Sequence, residues 1–178
     1  MRRFFHFCAL VSFLSAGGSL LMEQAAAATD ETIRAFSVWQ TKGELTPGGE
    51  GDRVFNDIFT GLFYVDTQKG PVAAGDVSCK ANVQIKPDKT QKGSADCTIT
   101  AKDGAQVFGR LSCSGVFLVG CSGKLVLTGG SGRFKGVTGG GTAIIRSEFA
   151  DLWPQGNPPA TDVKSGIIYF PALRYQLP

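Results

Sequence analysis

The residue types able to do chemistry are few. The chain holds one histidine, His6, and it lies in a stretch that reads as an export address, so the mature chain would have none. Serine, cysteine and threonine nucleophiles most often use imidazole as their base, and catalytic zinc most often takes histidine ligands, so both routes close. Carboxylate, lysine, tyrosine or arginine chemistry stays open, as does no chemistry at all. Four cysteines follow that stretch: Cys79, Cys97, Cys113 and Cys121. No Cys-x-x-Cys spacing occurs, which weighs against a four-thiolate zinc site and a redox dithiol and favours structural disulfides. Three pairings are open to four cysteines. A hairpin turning at Lys86-Pro-Asp-Lys-Thr-Gln-Lys-Gly93 sets Cys79 nearly opposite Cys97, and Cys113 and Cys121 bracket a short apolar piece. Those two pairs are the expectation, the wider bridge contributing on the order of 3 kcal/mol in the chain-entropy picture.

Alternation sorts the polar candidates. In residues 142–150, Ala143, Ile145 and Phe149 share one face and Arg146 and Glu148 the other. A charged pair turned inward would be a binding device, and one turned outward an ordinary surface pair. Arg110, flanked by Phe108 and Ser112, is equally open. Trp39, Tyr64, Trp153 and Tyr169 suit core or rim packing, as aromatics generally do, and could also line a ligand site. The candidate ligand-binding set is therefore Trp39, Tyr64, Arg110, Arg146 and Glu148; no catalytic residue and no metal ligand is assigned.

Several elements must position these residues. Arg2 and Arg3 precede an apolar run ending at Ala25-Ala26-Ala27-Ala28, which reads as a secretory signal peptide over residues 1–28, cleaved near Ala28. An uncleaved anchor is the competing reading, because the run approaches the ~20 residues that span a bilayer. Residues 29–178 then form a single domain with no membrane span of its own, periplasmic or secreted. Outside the leader, 16 basic residues face 14 acidic ones once Arg2, Arg3 and Glu23 are set aside. Lysines such as Lys86, Lys89 and Lys92 scatter over loops, so no basic face for nucleic acid is expected.

Short strands are expected near residues 32–45, 54–66, 77–85, 95–101, 106–113, 124–128, 141–149 and 166–170, most of them bounded by turn residues such as Pro87-Asp88 and Asp103-Gly104. Residues 54–66 are ambiguous. The pairs Val54/Phe55, Ile58/Phe59 and Leu62/Phe63 recur every four residues, as on a helix that Asp52 could cap, yet β-branched and aromatic content and Gly61 favour a strand covered on both faces. Seven or eight strands without a convincing long helix make an all-β barrel or sandwich, and closure would remove exposed strand edges.

The segment Leu127-Thr-Gly-Gly-Ser-Gly-Arg-Phe-Lys-Gly-Val-Thr-Gly139 resembles the Gly-Gly-Thr-Gly-Lys/Arg-Phe-x-Gly-x-x-Gly stretch shared by dirigent proteins, allene oxide cyclases and small exported bacterial proteins with the same barrel, with Ser131 in place of the usual threonine. Upstream, Phe108-Gly-Arg-Leu-Ser-Cys-Ser-Gly-Val-Phe-Leu-Val-Gly-Cys-Ser-Gly-Lys-Leu125 is similar to the bacterial members, where two cysteines bracket an apolar piece. The resemblance covers residues 106–146. It implies a closed antiparallel eight-stranded barrel of the allene oxide cyclase type, with the glycine segment a mark of fold rather than catalysis. The plant relatives steer cyclisation or radical coupling of small hydrophobic molecules without a bound cofactor. Their acidic pocket residues have no position-by-position match here, so no catalytic residue is carried over and no cofactor is implied. Nucleotide loops do not fit either: a dinucleotide loop needs glycine where Lys135 stands, and no Gly-Lys-Ser/Thr triplet occurs.

Because one fold hosts many functions, three readings remain. The first is an exported non-catalytic barrel that binds a small apolar ligand or simply serves as an envelope module. A cofactor-free cyclase or isomerase would need an inward carboxylate or arginine in an apolar cavity. An interaction module would use residues 149–178, around Trp153-Pro154 and Asn157-Pro-Pro159. Association of barrels through their outer faces is a further option.

Overall fold

The computed structural model describes residues 29–147 and 164–178. The expected leader, with Glu148, Phe149, Trp153 and the Asn157-Pro-Pro159 piece, falls outside the described residues. Among the described residues nine strands are formed: β1 (Thr29–Thr41), β2 (Leu45–Pro47), β3 (Arg53–Thr67), β4 (Gly70–Ile85), β5 (Thr90–Ala101), β6 (Gln106–Val116), β7 (Gly120–Gly130), β8 (Thr138–Ser147) and β9 (Lys164–Leu177). From β3 to β9 each strand pairs antiparallel with the next.

Closure comes from β1, which pairs with β9 on one side and β3 on the other. Along β3, residues 60–66 face β1 and residues 53–55 face β2, so β2 prolongs the track of β1 rather than adding a stave. The result is the expected closed eight-stranded antiparallel barrel. The single first strand expected over residues 32–45 is broken at Lys42–Glu44, and most other strands run longer than their turn signals suggested.

The ambiguous 54–66 segment is a strand, and its period of four explains the ambiguity. Phe55, Phe59 and Phe63 point inward while Val54, Ile58 and Leu62 point outward, so each apolar pair straddles both faces. One part of the expectation fails: the outer face is open, with Ile58 49% and Leu62 46% exposed.

Inside, bulky residues stand opposite glycines, the small-large alternation that fills a narrow barrel. Trp39 lies between Gly61 and Gly166, Leu125 opposite Gly141, and Leu127 beside Gly109 and Gly139. Gly139 is required twice over: its φ is +134°, and a Cβ there would sit 2.2 Å from the Arg174 carbonyl oxygen. The remaining core is built from Ala35, Phe63, Cys79, Cys97, Leu111, Ala143, Phe170 and Leu173.

The glycine segment packs against one end of the barrel. A 3-10 turn at Gly132–Phe134 follows β7 and is fastened to β6 by the Ser131 amide donating to the Gln106 carbonyl at 2.8 Å. Arg133 reaches Asp103 in the β5–β6 turn at 2.7 Å. Val137, 2% exposed, and Phe134 are thereby set into the core. Both expected disulfides form. Cys79–Cys97 joins directly opposed residues of β4 and β5, and Cys113–Cys121 crosses β6 and β7 on the diagonal.

Candidate ligand site

Strand β1 is the informative stave. Its alternation turns Ala35, Ser37, Trp39 and Thr41 inward, all buried, and Phe36, Val38 and Gln40 outward. Pairing with the closing strands on both sides fixes that register, so a one-residue slip would reverse every side chain. Ser37 is 1% and Trp39 5% exposed, yet Ser37 Oγ and Trp39 Nε1 have no hydrogen-bond partner. Leaving a buried polar group unpaired costs roughly 1–3 kcal/mol, and most buried polar groups avoid it. Here two such groups occupy consecutive inward positions, in a wall of small residues and aromatic rings. The Trp39 ring meets Phe59 edge-on at 4.7 Å between centroids, Phe59 meets Phe55 at 5.4 Å, and Phe63 meets Phe170 at 6.2 Å.

Thr41, the next inward residue, behaves differently. Its hydroxyl donates to the Asp57 carboxylate, which shares the inward parity of β3 at the place where β1 gives way to the 42–44 connection. The Thr41 hydroxyl first, then the Ile58 amide and the amides of Gly43 and Lys42, hold the Asp57 carboxyl below its usual range. Gly43 lies so close that a Cβ would fall 2.4 Å from the Asp57 Cβ. Lys164 Nζ caps the same turn by donating to the Gly43 carbonyl at 2.8 Å. Asp57 is therefore an ionised fastener of the strand-to-strand connection.

Of the four sequence candidates among the described residues, the structure brings only Trp39 inside. Tyr64 lies on the outer wall, stacked on Phe36 at 5.0 Å with ring planes 12° apart. Arg110 also points out, paired with Asp96 at 3.1 Å with both side chains more than two-thirds exposed; it borders a surface groove of about 530 Å³ with Lys80, Asn82 and Asp96. Arg146 faces outward from β8 and donates to the Ile145 carbonyl at 3.0 Å. Glu148 lies outside the described residues. Ser37, Thr41 and Asp57 were missed by sequence reasoning, although the first two share the parity of Trp39 in a segment already recognised as a strand.

No family model and no curated protein sequence matches the chain. Among solved structures it is similar to a pterocarpan synthase dirigent protein, GePTS1, at 10% sequence identity and a TM-score of 0.41, covering 94% of this chain and 98% of that one. The closed barrel rests on the strand pairings themselves.

Proposed function

We propose that this chain is an exported, non-catalytic barrel that holds a small, mainly apolar molecule against the inner face of β1. The carrying observation is the pair of buried, unpartnered groups, Ser37 Oγ and Trp39 Nε1. An indole N–H only donates, while a hydroxyl donates and accepts. Together they suit a ligand with one carbonyl, ether or hydroxyl oxygen on an apolar body, the body lying along Phe59, Phe63 and Phe170. Eight-stranded barrels have room for one small ligand or for packed side chains, and a few fixed polar groups in an apolar lining give orientation.

Export accords with the basic, then apolar, then alanine-rich start and with two disulfides, which persist in oxidising compartments. Among the described residues no helix is long and apolar enough to cross a membrane. The cyclase reading draws less support. Asp57 is inward by parity, but its carboxylate already accepts from Thr41 and is held ionised, which makes it a weak proton acceptor, and Arg110 and Arg146 face outward.

Native mass spectrometry of the intact chain released from an exporting host, followed by calorimetric titration with octan-2-one, tests the proposal. Expected is a retained small molecule or one-to-one ketone binding that Trp39→Phe weakens about tenfold, the worth of one hydrogen bond of roughly 1.4 kcal/mol. A bare protein that also ignores octan-2-one would refute it.

A further inference from the structure

We infer that the tip of the β6–β7 hairpin inserts its side chains into an anionic lipid surface, holding one end of the barrel peripherally at a bilayer. Nothing in this depends on the ligand reading, and it uses the apolar piece that Cys113 and Cys121 bracket. The tip is a tight turn, closed by the Val119 amide donating to the Val116 carbonyl at 3.1 Å, with Phe117 and Leu118 at its centre. Leu118 is 57%, Val119 50% and Val116 46% exposed, and Phe117 is half-buried. Other hairpin tips of this wall are polar, with Pro87 and Asp88 between β4 and β5, and Lys102 and Asp103 between β5 and β6. Backbone geometry sharpens the contrast. Leu118 has φ +68°, a left-handed turn position that glycine or asparagine ordinarily fills and that strains a leucine. The Cys113–Cys121 bridge closes the hairpin below the tip, and the Phe117 amide donates to the Lys89 carbonyl at 2.9 Å, bracing the tip against the next turn. A large apolar side chain held in an exposed, strained turn suits a role that needs it there.

Charge and shape select the occupant. Lysines scattered along the sequence gather round this tip: Lys86 and Lys89 lie in the adjoining turn, Lys92 stands opposite Ser114, and Lys124 opposite Ser112. Arg53 holds its guanidinium 6.0 Å from the centre of the Phe117 ring, and Arg146 lies beside Gly120 at the foot of the tip. The acids at this end of the wall are fewer, Glu50, Asp52 and Asp88. Asp88 is turned back on its own turn, accepting from the Thr90 amide at 2.9 Å and hydroxyl at 2.7 Å. An apolar tip ringed by an excess of cations matches acyl chains beneath negative headgroups, each nearby lysine or arginine adding attraction. A protruding turn offers a folded partner neither a concavity nor a flat area, and its few side chains cover far less than the ~800 Å² per partner of a standard protein interface. A bilayer needs neither, since lipids close round a protrusion.

Co-sedimentation of the full exported chain with lipid vesicles reads the outcome. The chain should partition onto vesicles of equal parts phosphatidylglycerol and phosphatidylcholine, and about tenfold more weakly onto phosphatidylcholine alone or in high salt. Leu118→Asn, a residue the turn accepts, should weaken partitioning about tenfold with an unchanged circular dichroism spectrum. Lys86→Gln combined with Lys89→Gln should weaken it by about the same factor on the mixed vesicles and hardly at all on phosphatidylcholine. Val126→Asn, at a valine 53% exposed on the outer face of β7, should leave it unchanged. A chain that ignores the mixed vesicles at about 1 mM lipid would overturn the inference. So would partitioning indifferent to Leu118→Asn, which would place the contact elsewhere, residues 1–28 included. Partitioning indifferent to the paired lysine substitutions would overturn it as well, by removing the anionic surface as the occupant.

Discussion

The wall built from β4 to β7 and the stave β1 follow opposite rules. On β4–β7 most outward residues are polar, among them Ser78, Lys80, Asn82, Ser94, Asp96, Arg110, Ser112 and Lys124, with Phe108, Val116 and Val126 as apolar exceptions, and the inward ones are apolar, among them Val77, Cys79, Ala95, Cys97, Leu111 and Leu125. On β1 the inward face carries two hydroxyls and an indole N–H, while the outward face presents Phe36 and Val38. A stave that only holds the barrel together has reason to keep apolar groups in and polar groups out. A stave that breaks the pattern on both faces gives up stability that some other interaction must offset, and such conflicts concentrate where function lies.

The largest expected effect lies in the obedient wall. Leu125 is 3% exposed and fills the space over Gly141. Leu125→Ala should lower unfolding free energy by about 2–5 kcal/mol, transfer and cavity combined, measured by urea denaturation. Val38→Ala, which also deletes methyl groups but on the open face of β1, should cost under about 0.5 kcal/mol. Equal losses at the two sites would mean that the outer face of β1 is as buried as the core, and the contrast between the walls would fail.

A smaller effect of opposite sign is expected at Ser37. Replacing an unsatisfied buried hydroxyl by a methyl group removes a desolvation penalty, so Ser37→Ala should raise stability by up to about 1 kcal/mol while weakening octan-2-one binding. Gain in one assay with loss in the other is the signature of a site whose polarity serves binding. A variant less stable than the parent would show that the hydroxyl is structural, and the inner face of β1 would then be no exception.

How much of this was legible in the sequence follows from the same contrast. Hairpins and bridges were readable because turn residues and cysteine positions act locally: Pro87-Asp88 turns the chain, and Cys79 meets Cys97 across that hairpin. The glycine segment was readable because Gly139 has no substitute where a neighbouring carbonyl approaches so closely. The candidate site was faint. Alternation assigned Arg146 and Glu148 to one face without saying which face is inside, and that depends on closure between β1 and β9, staves far apart along the chain. Trp39 was singled out for its ring, but Ser37 and Thr41 look like ordinary strand residues until the barrel turns them inward. Asp57 sits in the segment whose period of four suited helix and strand alike, and the connection it fastens became visible only when β2 was found to prolong β1.

Asp57 supplies the mildest test, because it is a polar residue turned inward for support rather than for a ligand. Its carboxyl is held below the ordinary value by Thr41 first and by backbone amides after it. A depressed folded-state value stabilises the fold above the unfolded-state value, near 3.9 for aspartate, and that contribution fades as pH falls through the folded-state value. Asp57→Asn should therefore unfold somewhat more readily than the parent at neutral pH, and the gap should narrow below about pH 4 as the parent's own carboxylate takes up a proton. Thermal melts from pH 7 to pH 2 would follow it, with octan-2-one binding unchanged throughout the folded range. A gap that stays constant with pH would show that the asparagine disturbs packing at Gly43 rather than removing a charge. Loss of ketone binding in the same variant would instead move the ligand from the Ser37–Trp39 pair toward the strand end, joining Asp57 to the site from which its hydrogen bonds now set it apart.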